Sequence, residues 1–218
     1  MNQPQHRDRP AKSSRRALLL GLSAAIALPL PQGCFPVVAT GVGAGAAMVS
    51  DRRTSGTYVE DEGIEWKVSA RIRERLGDSV HVNVTSYNRN VLLTGEAPNE
   101  TVRGQLDAIV AGVEHVRGVI NEVVVGPTSA LTARGNDTLI TSNVKARFVD
   151  AGRFSAHNVK VVTEANVVFL MGIVTRAEAD AAAEVARTSQ GVRKVVRVFE
   201  YISDEEARRL DNPTGARR

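Results

Sequence analysis

One cysteine and four histidines are the residues of this 218-residue chain best suited to nucleophilic or metal chemistry, and their spacing limits what they can do. A single thiol, Cys34, excludes an intramolecular disulfide and any multi-cysteine metal site. His6 stands at the extreme N-terminus. His81, His115 and His157 are each more than 30 residues apart, with no second histidine or cysteine at ligand spacing, so no metal site is expected. His81 falls within the alternation Val80, Val82, Val84 and reads as a solvated strand residue. No nucleophile elbow, P-loop or paired-carboxylate motif is present, and GVGAG at 41–45 lacks the preceding strand and the spacing of a phosphate loop. Asp61, Glu62, Asp137 and Glu178 stand at the expected starts of helices, where the helix dipole accounts for acids. The reading is a non-enzymatic chain with no cofactor and no small-molecule substrate.

What remains for Cys34 is acylation. A basic run, KSSRR, and 14 apolar residues from Ala17 to Leu30 precede it, too few to span a bilayer and the right number for a signal-peptide core. Gly33, directly before the cysteine, is the small residue that signal peptidases require. Together these resemble a bacterial lipobox, with Pro31 where leucine is usual, so the cysteine is read as the lipidated mature N-terminus. Ser14, Arg15 and Arg16 leave twin-arginine export open beside the general route. Residues 1–33 are therefore the signal peptide. Residues 34–58 are read as a Gly/Ala-rich tether ending in polar sequence, which if flexible spans on the order of 25–30 Å.

Charge supports no polyanion partner once it is located along the chain. Of 28 basic and 24 acidic residues, five and one lie before Cys34, leaving a mature chain with 23 of each. Nucleic acid is excluded as an expected partner on that balance.

The mature part is a tandem duplication. IEWKVSARI (64–72) aligns with ITSNVKARF (140–148) at an offset of 76, VNVTSYNRNVLLTG (82–95) with VKVVTEANVVFLMG (159–172) at 77, and HVRGV (115–119) with GVRKV (191–195) at 76. Each copy opens with an amphipathic helix, from Ile64, Val68 and Ile72 and from Ile140, Val144 and Phe148. A hairpin follows, then a second helix (about 99–111 and 176–189, the latter entered through a Thr175/Glu178 capping box), then a strand (119–125 and 195–201). The fold class is α+β, two α-β-β-α-β units, each a three-stranded sheet with two helices on one face. Domain boundaries fall at 59–126 and 135–203, with a linker at 127–134 and a polar tail at 204–218. Cores of this size are marginal, which gives the copies a reason to pack together.

The segments NVTSYNRNVLLTGEAPNE and NVKVVTEANVVFLMGIVT, arranged as a pair behind a lipobox, resemble the dual BON-domain outer-membrane lipoproteins. The resemblance implies a protein facing the periplasm that binds anionic phospholipid through its second BON domain and supports envelope integrity.

The first helix of the second copy carries a stripe suited to that role. With Ile140, Val144 and Phe148 turned to the core, Leu139, Ser142, Ala146 and Val149 share the opposite side, small or apolar. Lys145, Arg147 and Arg153 flank the stripe, and Lys145 and Arg153 with the four stripe residues form the expected lipid-binding set. Related proteins carry tryptophan where this chain has Leu139. The second copy is also the more basic, with nine basic and seven acidic residues from 135 to 202 against seven and eleven from 60 to 126. The competing reading gives the same helix surface to envelope proteins, as a scaffolding module. Trp66, on the matching helix of the first copy, is expected to pack on the neighbouring repeat, with a surface anchor as the alternative.

Overall fold

A computed structural model of the chain describes residues 51–212; the signal-peptide and Cys34 readings lie outside them. The first repeat runs α1 (Ser55–Leu76), β1 (His81–Tyr87), β2 (Asn90–Ala97), α2 (Glu100–Ala111), β3 (Gly118–Asn121) and β4 (Val124–Val125). The second runs α3 (Leu131–Ala151), β5 (Val159–Glu164), β6 (Val167–Val174), α4 (Arg176–Arg187) and β7 (Lys194–Tyr201), followed by α5 (Asp204–Asp211). The α-β-β-α-β order is the one read from the repeat.

In each sheet the second hairpin strand is central. β1 pairs antiparallel with β2, and β3 and β4 add to β2 in parallel. β5, β6 and β7 repeat the arrangement, with β7 one unbroken strand where the first repeat has two short pieces. A central strand covered on both faces needs apolar residues at every position. Accordingly Val168, Leu170 and Val174 of β6 pack under α3 and α4, while Phe169, Met171 and Ile173 point the other way. In β2, Val91 and Leu93 face α1 and α2, and Leu92 faces outward.

Those outward faces meet. Tyr87, Leu92 and Ile120 of the first repeat join Phe169, Met171, Ile173, Val162, Val196 and Val198 of the second in one cluster, so the sheets lie face to face and the helices form the outer layers. The sequence supplied the motive for this packing in two small cores, and the third cluster is its physical result.

Two helix boundaries differ from the sequence reading. α1 begins at Ser55, capped by the Thr54 hydroxyl on the Thr57 amide, so the polar stretch read as the end of the tether is already folded. Arg52 is buried and reaches the second repeat: it donates to both carboxylate oxygens of Glu178, to Asp211, and to the Ile173 carbonyl. The segment read as a polar tail holds α5, which meets Arg52 through Asp211 and buries Ala207. A short, unpatterned DRR hides this, because its partners lie more than 120 residues away.

Asp61 and Asp137 also differ from expectation. With the helices starting at Ser55 and Leu131, neither is in a first turn, and both are buried. Asp137 accepts hydrogen bonds from the Ala165 and Asn166 amides, and Asp61 from those of Asn88 and Arg89. These four residues have positive φ, as both central residues of a tight hairpin turn do, and the aspartates accept from turn amides that lie outside the strand ladder.

Candidate lipid-contact surface

α3 owes its position to one face. Ile140, Val144 and Phe148 are fully enclosed beneath it, each stabilising the repeat by about 1.5–3 kcal/mol through burial. Phe148 meets Phe154 edge-on at 5.0 Å between ring centroids. The helix ends at Gly152, whose left-handed φ of 56° suits a residue without a Cβ.

Among the described residues, nothing covers the opposite face. Leu139 is 70% exposed and Val149 69%, and Ser142 and Ala146 between them are exposed as well. Leu131, exposed at the helix start, extends the apolar surface toward the N-terminal end. Two hydroxyls on this side are satisfied within the helix: Ser142 donates to the Thr138 carbonyl at 3.0 Å and Thr138 to that of Arg134 at 3.1 Å. Such back-bonding lowers the cost of removing the stripe from water.

Of the three flanking cations, two face solvent and one is held by the protein. Lys145 and Arg153 are exposed. The Lys145 ammonium is held below its ordinary pKa by local desolvation and by nearby Lys160. Arg147 is engaged elsewhere: it donates to the Val185 carbonyl and to the Ser189 and Thr188 hydroxyls at the C-terminal end of α4, where a cation satisfies orphan acceptors. Helix-wheel placement alone could not distinguish these three side chains.

The matching helix of the first repeat is different. Trp66 is 69% exposed on α1 and does not pack on the second repeat, because the repeats meet through their sheets and leave both first helices outside. Val59 is exposed on the same helix. Exposed Glu62, Lys67 and Arg73 give this helix a mixed charge, whereas Lys145 and Arg153 edge the α3 stripe.

Sequence reasoning missed a polar cluster where the sheets meet. His81 and Glu96 are paired across β1 and β2, with His81 Nδ1 2.9 Å from a Glu96 oxygen. Glu164 of β5 lies beside them, accepting from Asn83 at 2.7 Å and Thr94 at 3.3 Å. His81, read as solvated, is instead mostly covered. Desolvation pushes the Glu164 carboxyl above its ordinary range; the Asn83 hydrogen bond opposes this and the Glu96 charge adds to it.

The BON domain family matches residues 61–127 and 136–203, one match for each repeat. The chain is a BON-domain protein. Relatives extend beyond the repeats: it is 39% identical to the outer membrane lipoprotein DolP of Haemophilus influenzae over 85% of this chain and 95% of that protein. It is 37% identical to the 21 kDa hemolysin of Actinobacillus pleuropneumoniae, over 70% of this chain and 79% of that one. Osmotically-inducible protein Y of Escherichia coli is 27% identical over 84% and 94%. This BON-domain protein is accordingly placed at the outer membrane on its periplasmic side. Among the described residues, no helix is long and apolar enough to cross a membrane.

Proposed function

We propose that this BON-domain protein is a non-enzymatic lipoprotein, acylated at Cys34, that binds anionic phospholipid through the outer face of α3 and so supports envelope integrity. The observation carrying this reading is the two-sided helix: Ile140, Val144 and Phe148 satisfy the core, while Leu139 and Val149 stay exposed among the described residues. An interfacial helix needs such a stripe, shallow insertion of its apolar atoms, and cations at headgroup level. Lys145 and Arg153 supply the cations, each contributing about 1 kcal/mol near an anionic leaflet. The second BON domain's net positive charge works in the same direction.

The test uses the chain with Cys34→Ser, so that no acyl group anchors it, sedimented with vesicles. Binding is expected to vesicles containing phosphatidylglycerol and not to pure phosphatidylcholine, and to weaken as salt shortens the Debye length. Absence of any preference at low salt would refute the reading. Replacing Leu139 and Val149 with Glu separates lipid contact from protein docking: lost vesicle binding supports the bilayer, and retained vesicle binding with lost crosslinks to envelope proteins supports the scaffold reading.

A further inference from the structure

We propose that His81, Glu96 and Glu164 form a divalent transition-metal site, of the zinc class, that joins the two BON domains. One nitrogen of His81 and one carboxylate oxygen from each glutamate all lie within 4.8 Å of one another. Ligands around a tetrahedral zinc sit about 2.0–2.2 Å from the metal, so small side-chain rotations bring the three atoms to bonding distance. A fourth position remains for water.

The charge balance favours a cation. Glu96 and Glu164 are 6% and 8% exposed. Among the described residues, His81 is the ion-pair partner of Glu96, and no lysine or arginine forms a salt bridge with either glutamate. Buried carboxylates are ordinarily paired with cations or bound to metal. A divalent ion would neutralise both.

The surroundings have the form of a supporting shell. Asn83 and Thr94 both donate to the same oxygen of Glu164, which orients the carboxylate and leaves its other oxygen outside those bonds. Asn83 is itself exposed, so the cluster lies at the rim of the interface with a path to solvent. A His/Glu/Glu donor set suits zinc better than magnesium or calcium, which favour all-oxygen sites. The two halves come from different domains: His81 and Glu96 from the first, Glu164 from the second. An ion there would couple the domains, which linear spacing of histidines could never reveal.

The test is calorimetric titration of the chelator-treated Cys34→Ser chain with zinc chloride, alongside thermal unfolding. One equivalent is expected to bind, with a rise in Tm, while magnesium chloride gives neither. Glu164→Gln and His81→Ala should each weaken zinc binding at least tenfold; His157→Ala, on the exposed surface, should leave it unchanged. Glu164→Gln is nearly isosteric, and far-UV circular dichroism verifies that it is folded. No saturable binding, or equal binding in parent, His81→Ala and Glu164→Gln, would overturn the proposal, the latter by placing zinc elsewhere on the surface.

Discussion

The Asp137 carboxylate accepts the backbone amide of Asn166 at 2.8 Å, tying the second turn of α3 to the hairpin between β5 and β6. Its other oxygen takes the Ala165 amide at 2.9 Å. Asp61 performs the same task for Asn88 and Arg89 in the first domain. Each aspartate thus fixes the helix against the sheet that it covers, and for α3 this sets which face is left outside. Asp137→Ala takes the acceptor from two part-buried amides and is expected to cost about 1–3 kcal/mol, measured by urea unfolding. A loss under 1 kcal/mol would show that water replaces the carboxylate.

The Arg52 clamp makes a second expectation. Its guanidinium is buried, while Glu178 and Asp211 keep part of their surface in water, so losing these charge-assisted bonds costs roughly 1.5–3 kcal/mol. Arg52→Ala is expected to lower stability by that order and to increase amide exchange in α5. Exchange in α5 unchanged from the parent would mean that Ala207 and Leu210 hold the helix alone.

The same clamp has a pH signature. Burial pushes the Glu178 carboxyl up, but hydrogen bonds from Arg52 and from the Thr175 amide outweigh it and leave the group below its ordinary value of 4.5. A carboxyl depressed by folding contributes stability that is complete above its unfolded pKa and disappears as pH falls through the folded one. The Tm deficit of Glu178→Gln against the parent is therefore expected to be largest near neutral pH and to shrink below about pH 4. A deficit constant across that range would assign the loss to the capping box alone.

Two glycines are dictated by close approach. A Cβ at Gly95 would lie 2.0 Å from the His81 carbonyl oxygen, and one at Gly172 would lie 2.4 Å from that of Asn158. Gly95 also holds a φ of 116°, outside the range of other residues. Alanine at either position forces backbone apart and is expected to destabilise by about 1–3 kcal/mol in thermal unfolding. Unchanged Tm in both variants would mean that the strands separate freely there.

Much of this was legible from residues alone. Ile140, Val144 and Phe148 marked the buried side of α3 and, by exclusion, the exposed one, because helical period converts sequence spacing into angle. The turns at Asn88 and Ala165, the Thr175/Glu178 cap and the duplication were equally visible, being local or repeated. What stayed hidden depends on contacts between distant segments: Arg52 with Glu178, His81 with Glu164, and the face-to-face sheets that leave Trp66 outside. The role of Asp61 and Asp137 lay between these cases. Both recur at the repeat offset, as do the turns that they bind, yet their place at a supposed helix start supplied a sufficient local explanation.

The most direct check on the account places a reporter in the stripe itself. Trp66 is the chain's one tryptophan, so Trp66→Phe with Leu139→Trp yields a single indole on the outer face of α3. With Cys34→Ser, its emission is expected to shift to the blue, and to be quenched by brominated acyl chains, when vesicles containing phosphatidylglycerol are added. Emission that stays at its aqueous position while those vesicles are in excess would contradict lipid contact through this helix.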